Sequence, residues 1–480
     1  MLELGWRRTN LVLVALALVA GCGDDDGSTT PMDSGVEDAG ATDGGIATPD
    51  AGRDAGADAG PSCTSGCDIA ELALGSKFSC ARRENGEVLC WGRGQEGQLG
   101  DGSRTHGGRC VGGGIVETFD CSPRPVIVDL PSAASSMSAG WTSICAIDAD
   151  ADAQCWGEAG FRIGTLPAEA ARYSPQPFPM LTDIEAVAEA TFTICAMGDG
   201  GAVRCAGNNG SGQTGKGEFS TTELSPVPVQ RAEPAGTALT GALEVVLGTF
   251  SDFACARTAD EVLCWGSGEA GQLATDPAAL PSNCATGSAA QNRCTSSAMV
   301  IAGLPEMGIT QLAAGGEHVC ALLEDQTVVC WGANDAGQLG TGDRNARIVP
   351  TAVTGLSGVT RITTGGSHTC AVLSDGGVRC WGYNRFGQLG DGDESHEATA
   401  CRIADDDSGD CSSTPVAVMG VDDATFVDAG VDHTCIVRAE GTEVWCWGRN
   451  DMLQTQGSAT FSPTPDEVLP RHAPVQVTGL

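Results

Sequence analysis

Cys380-Trp381-Gly382-Tyr383-Asn384-Arg385-Phe386-Gly387-Gln388-Leu389-Gly390-Asp391-Gly392 decides the fold, because the chain repeats it. The same pattern runs from Cys90-Trp91-Gly92 to Gly97-Gln98-Leu99-Gly100, and from Cys330-Trp331-Gly332 to Gly337-Gln338-Leu339-Gly340. Weaker copies begin at Cys155-Trp156-Gly157, Cys205-Ala206-Gly207, Cys264-Trp265-Gly266 and Cys446-Trp447-Gly448. The seven signature cysteines lie 65, 50, 59, 66, 50 and 66 residues apart, a period of 50 with insertions. A second Cys precedes each signature, at 80, 145, 195, 255, 320, 370 and 435.

Each repeat parses into four short strands. In the sixth these are 352–356, 360–364, 367–373 and 377–383, with Ser374-Asp375-Gly376 as the hairpin turn. Four-stranded antiparallel sheets repeated around an axis make an all-β, seven-bladed propeller. Cys370 and Cys380 then face each other across a hairpin. A non-hydrogen-bonded pair has Cα atoms about 4.5 Å apart, within disulfide range. Trp381 takes the opposite sheet face, where it can fill the layer between blades, and Leu389 is a core plug. Gln388, with Gln98, Gln213, Gln272, Gln338 and Gln454, ties the turn to backbone groups. The last residues, Pro474-Val-Gln-Val-Thr-Gly-Leu480, repeat the strand that precedes each later blade. They are expected to complete blade one and so close the ring.

The Gly-x-x-His-x-Cys/Ser, Val-x-x-Trp-Gly and Gly-Gln-Leu-Gly-x-Gly pattern resembles the regulator of chromosome condensation repeat over residues 68–480. Repeats two, three and seven depart from it: Gly157-Glu-Ala-Gly-Phe161 lacks the Gln, Ala206 replaces Trp, and Leu453-Gln-Thr455 replaces Gly-Gln-Leu. The resemblance implies a seven-bladed propeller. The family's eukaryotic namesake is a nucleotide-exchange factor for a small nuclear GTPase, and a secreted bacterial relative inhibits β-lactamase by surface contact.

Residues 1–21 read as a signal peptide: Arg7 and Arg8, an apolar run at 11–20, then Val19-Ala20-Gly21-Cys22. That ending resembles a bacterial lipobox, which implies lipidation of Cys22; an ordinary secretory signal would leave Cys22 a free thiol. Residues 22–62 carry ten acidic residues against one Arg and little that is apolar, so they are expected to be a disordered tether. Its r.m.s. reach as a flexible coil is roughly 35 Å. The propeller then occupies 63–480. Of 23 Cys, all but Cys22 fall into close neighbours: 63/67, 80/90, 110/121, 145/155, 195/205, 255/264, 284/294, 320/330, 370/380, 401/411 and 435/446. Paired cysteines in an exported chain read as disulfides.

A net charge of −36 repels phosphate backbones, so nucleic acid is set aside as a partner. Gly210-Ser-Gly-Gln-Thr-Gly215-Lys216-Gly217 imitates a P-loop, and Gly92-Arg-Gly94-Gln-Glu-Gly97 and Gly266-Ser-Gly268-Glu-Ala-Gly271 imitate a dinucleotide fingerprint. Each lacks a following helix and reads as a repeat turn. His318, His368 and His433 occupy equivalent places in three blades, too far apart to share a metal, and read as structural. Asp148-Ala-Asp150-Ala-Asp152, Asp391-Gly-Asp393-Glu394 and 405–410 read as solvated loop acids rather than calcium ligands.

Three insertions, closed by Cys110/Cys121, Cys284/Cys294 and Cys401/Cys411, follow the signature in repeats one, four and six. Equal topological position puts them on one face, expected to bind. The reading is therefore a lipid-anchored binding module, without cofactor, metal or enzymatic activity. It is expected to be monomeric and held in a bacterial envelope, extracellular or periplasmic and at the outer membrane. Its partner is a protein or envelope ligand, with Tyr383 and Phe386 as aromatic anchors. The alternatives are guanine-nucleotide exchange, implied by the resemblance, and a sialidase-like glycoside hydrolase using Tyr173 or Tyr383.

Overall fold

The computed structural model describes residues 63 and 65–480 except 112–117, 159–171, 179, 250–251, 281–283, 285–292, 306–307, 394, 397–400, 404–405 and 456–469. The expected signal peptide at 1–21, lipidation at Cys22 and tether at 22–62 fall outside the described residues. Among those described, the strands form seven antiparallel four-stranded blades, the first extended by an outermost fifth strand, Gly108–Val111. A small hairpin, Cys401–Ile403 with Asp406–Gly409, stands beside the sixth.

The inner strands are Ile69–Leu74, Ser136–Ala139, Ile184–Glu189, Ala242–Leu247, Ile309–Ala314, Val359–Thr364 and Phe426–Ala429. The outer strands are Thr118–Ile127, Arg172–Pro177, Thr222–Pro228, Cys294–Val300, Arg347–Ala352, Cys411–Ala417 and Arg471–Gln476. These bounds correct the expected blade phase. Val126, Gln176, Val227, Met299, Thr351, Val416 and Val475 pair with the second staple cysteine of the repeat they follow. The Pro-x-x-Val strand thus ends a blade rather than starting the next. Closure by the C-terminal strand is overturned for the same reason: Arg471–Gln476 pairs with Glu443–Gly448 inside blade seven. Every blade is continuous in sequence.

Side-chain contacts close the ring instead. Seven apolar clusters fill the seams, each holding one residue from just beyond an outer strand: Val128, Phe178, Val229, Ile301, Val353, Val418 and Val477. Val477 lies with Leu72 and Trp91 of blade one, which gives the final strand its part in closure. Six seams also hold a buried Trp whose indole donates to the Gln carbonyl of the preceding repeat. The pairs are Trp156–Gln98, Trp265–Gln213, Trp331–Gln272, Trp381–Gln338, Trp447–Gln388 and Trp91–Gln454, at 2.8–3.0 Å. Each Gln side chain meanwhile accepts the amide two residues before it, as Gln388 does from Phe386 at 2.9 Å. Gly390, at φ +70°, lies against the Trp447 indole; a Cβ there would come within 2.6 Å of its Nε1.

The seam between blades two and three is the exception. Ala206 stands where Trp stands elsewhere, and the repeat before it lacks the Gln. Ala206 brings no indole, so this seam has no donor of that kind.

His318, His368 and His433 are buried in seams. Each ring packs on the glycine three residues before it and donates through Nε2 to a hydroxyl of the next blade: Thr369, Thr434 and Ser79, at 2.9, 2.9 and 2.8 Å. Those hydroxyls donate on to the carbonyls of Gln338, Gln388 and Gln454. In blades one and four the position is Phe78 and Phe253, and the facing residue is Ile144 and Val319. A polar ring meets a hydroxyl and an apolar ring meets an aliphatic, so no buried donor is stranded.

Candidate binding face

The third strand of every blade runs toward one face of the ring and the outer strand returns from it. All three insertions interrupt that return, so they share a face. Each is closed by a disulfide, Cys110–Cys121, Cys284–Cys294 and Cys401–Cys411. Seven further bridges join directly opposed residues of the second and third strands: Cys80–Cys90, Cys145–Cys155, Cys195–Cys205, Cys255–Cys264, Cys320–Cys330, Cys370–Cys380 and Cys435–Cys446. In all seven the Cα atoms are 4.1 Å apart.

Two insertions carry a second fastening. The Asp101 that follows Gly100 and the Asp120 that precedes Cys121 hold His106 between them. The ring donates from Nδ1 to Asp120 at 2.5 Å and from Nε2 to Asp101 at 3.1 Å, and Asp120 also accepts the His106 amide at 2.7 Å. Blade six repeats the device: His396 donates to Asp410 at 2.6 Å and to Asp391, and its amide reaches Asp410 at 2.8 Å. Both ring nitrogens donate, so each ring is an imidazolium. Burial opposes the charge on His106, yet the bonds to Asp101 and Asp120 push its pKa up to about 9. The bond to Asp410 leads in His396, which also reaches about 9. The spacing was there in the sequence: Asp-x-x-x-x-His, then Asp-Cys, once in each insertion.

Phe386 lies on this face, half-buried, with the Arg449 guanidinium 4.9 Å and that of Arg385 5.6 Å from its ring centroid. Arg449 pairs with Asp432 and Asp451, and Asp451 reaches Lys77 of blade one at 3.4 Å. The floor across blades six, seven and one is thus a cross-linked patch of charge around one aromatic ring. Tyr383 is a correction. It is 7% exposed, its ring against Gly409 of the insertion, and it supports that loop from beneath rather than offering an anchor. Burial also raises its pKa.

Asp148 accepts the amides of Asp150 and Asp152 and the Gln154 side chain, so it closes a hairpin and is buried rather than solvated. Asp391 and Asp410 likewise serve the His clamp. The P-loop-like run at 210–217 forms turns before an outer strand, with no helix behind it. Among the described residues no group of three or more His, Cys, Asp or Glu is placed to hold a metal ion.

The N-terminal root lies on the opposite face. The Cys63–Cys67 bridge sits against the blade-one hairpin turn, where Asn85 donates from its amide to Gly66 at 3.1 Å and from its side chain to Ser65 at 3.3 Å. The chain therefore enters the ring from the side away from the insertions.

Seven stapled blades sharing one loop-bearing face define a β-propeller of the repeat-protein class. The regulator of chromosome condensation (RCC1) repeat matches residues 85–147, 325–372 and 375–437, and a second description of that repeat matches 69–98, 309–338, 359–388 and 424–454. The chain carries RCC1 repeats. Curated relatives include the human E3 ubiquitin-protein ligase HERC2, 27% identical over 59% of this chain and 5% of its own length. The probable E3 ubiquitin-protein ligase HERC6, also human, is 32% identical over 57% of this chain and 24% of its own. The chain thus spans a small part of either relative. Among solved structures, human WBSCR16 superposes with a TM-score of 0.60 at 20% identity, covering 82% of this chain and 94% of that one. Prp20p of Saccharomyces cerevisiae, studied for its binding to Gsp1p and histones, gives 0.55 at 19%, covering 76% and 80%. At such identities the likeness is one of fold. The eleven disulfides mark an oxidising, extracellular compartment.

Proposed function

We propose that this chain is a non-enzymatic binding propeller, tethered to a bacterial envelope through lipidated Cys22, that presents its insertion face to a protein partner. The observation carrying the proposal is that three insertions on one face are each closed by a disulfide, and two are also clamped through a half-buried His. Loops fixed before contact lose less entropy on binding. The tether root on the opposite face supports the same reading, since a flexible tether that joins the ring there leaves the insertions uncovered. The hydrolase alternative loses support at Tyr383, whose burial raises the pKa that a nucleophile would need lowered.

The test captures partners from envelope extract with the intact protein, then measures affinity after the three insertions are cut back to the 50-residue period. Affinity should fall at least tenfold, while substitutions in the opposite turns at Asn85, Asp325 and Asp375 leave it unchanged. Equal binding by the trimmed ring, or loss only with the opposite turns, rejects the assigned face.

A further inference from the structure

The inner strands enclose an axial cavity of about 260 Å³ whose wall carries Glu71, Glu189, Asp428 and Arg361, and the Glu244 carboxylate also acts on Arg361 through space. All four carboxylates are occupied, Glu189 by the Ser143 hydroxyl. Asp428 accepts the Leu74 amide at 2.9 Å and the Thr363 hydroxyl at 3.1 Å; Glu244 accepts the Leu312 amide at 2.9 Å and Arg257 at 3.3 Å; Glu71 accepts Arg82 at 2.8 Å. An inner strand has a free edge, and these side chains supply acceptors to amides that the sheet leaves unpaired.

Arg361 stands apart. Its guanidinium lies over the Phe426 ring, with Cζ 3.5 Å from the centroid. No hydrogen bond or ion pair joins it to any described residue, and its Nε is buried without an acceptor. The other two arginines facing these acids, Arg82 and Arg257, are both paired. A guanidinium offers five donors in a flat fork, and leaving it unmatched in a confined space is costly. An aromatic shelf on one side favours a flat ligand on the same plane of approach.

We infer that the axial cavity is a binding site for a small monocarboxylate, held by Arg361 above the Phe426 ring. Size and charge narrow the class. The cavity has room for a short carboxylate with part of its hydration. The carboxylates of Glu71, Glu244 and Asp428 act on Arg361 through space. Their field disfavours a dianion such as sulfate or phosphate and tolerates a single, delocalised charge.

The test is thermal unfolding and titration calorimetry of the full chain in sodium acetate, with sodium chloride and sodium sulfate at matched ionic strength as comparators. Saturable stabilisation by acetate beyond both comparators is expected, with affinity at least tenfold weaker in Arg361→Gln. Arg361→Lys, which keeps the charge and loses the fork, should lose most of the preference for acetate over chloride. If Arg361→Gln does not fold, the Lys variant and the wild-type comparison carry the decision. Acetate no better than chloride for the wild type, or a Lys or Gln variant that responds as the wild type does, overturns the assignment.

Discussion

The Trp91 indole donates to the carbonyl of Gln454 at 3.0 Å, across 363 positions of sequence. It is the contact that joins consecutive repeats elsewhere, so the meeting of first and last blades is a seam of the ordinary kind. Trp91→Ala should therefore cost about as much as Trp381→Ala, about 3–5 kcal/mol for a buried aromatic. Trp91→Phe, which keeps most of the volume and loses the donor, should cost nearer 1 kcal/mol. Urea unfolding measures both; a cheap Trp91→Ala would mean that the ends barely hold.

His368 and Thr434 should show strong coupling. His368→Phe removes the donor to a buried hydroxyl, and Thr434→Val alone leaves the imidazole donor stranded. Each single change should cost about 1–3 kcal/mol. The double variant reproduces the Phe-and-aliphatic pairing of Phe78 with Ile144, and should recover about 0.5–3 kcal/mol relative to additivity. Additive effects in a double-mutant cycle would contradict the pairing.

Stability should fall away from a broad optimum near neutrality, for opposite reasons on the two sides. Burial holds His318, His368 and His433 at about 3 against an ordinary 6.5. The unfolded chain takes up those protons first, so their contribution is complete above 6.5 and is lost as pH falls toward 3. His106 and His396, raised to about 9 between Asp101 and Asp120 and between Asp391 and Asp410, contribute fully below 6.5 and lose it as pH rises through 9. Hydrogen exchange should rise first at 101–110 and 395–396 on the alkaline side. His106→Gln with His396→Gln should abolish that alkaline step and leave the acid limb intact.

One outer strand lacks a proline, and its edge is covered. Pro125, Pro175, Pro226, Pro350, Pro415 and Pro474 share one register position, just before the residue opposite the second staple cysteine. Proline there removes an outward-facing donor from an open edge. In blade four the position is Ala298, whose amide donates to Gln230 at 2.8 Å while its carbonyl accepts from Ala232 at 2.8 Å. Ala298→Pro should release the strap at 230–238. Trypsin cleavage after Arg231 is expected to quicken severalfold, with ring stability changed by less than about 1 kcal/mol. Unchanged cleavage would show that the strap is held by other contacts.

Blade count, staples, Trp layer and Gln-tied turns were legible because each repeats at a fixed offset, and repetition survives without knowledge of contacts. Blade phase was not. In a cyclic array the Pro-x-x-Val strand can be read as first or last with equal economy, and only its partner decides; Val416 opposite Cys380 settles it. The family pattern was legible for the same reason as the blade count. Tyr383 was misjudged because its exposure depends on an insertion that folds over it, a non-local fact that no single repeat contains. The His106 and His396 clamps are legible in the sequence as Asp-x-x-x-x-His followed by Asp-Cys, and between Asp391 and Asp410, read above as solvated loop acids, the cation is an imidazolium.

Consecutive cysteines of this head are partners, from the Cys63–Cys67 bridge to the Cys435–Cys446 bridge, with none crossing another. A chain oxidised from its amino end as it emerges would always present the right thiol next. The correct set of bonds can thus be laid down in order of appearance, with no need for an isomerase to undo mistakes.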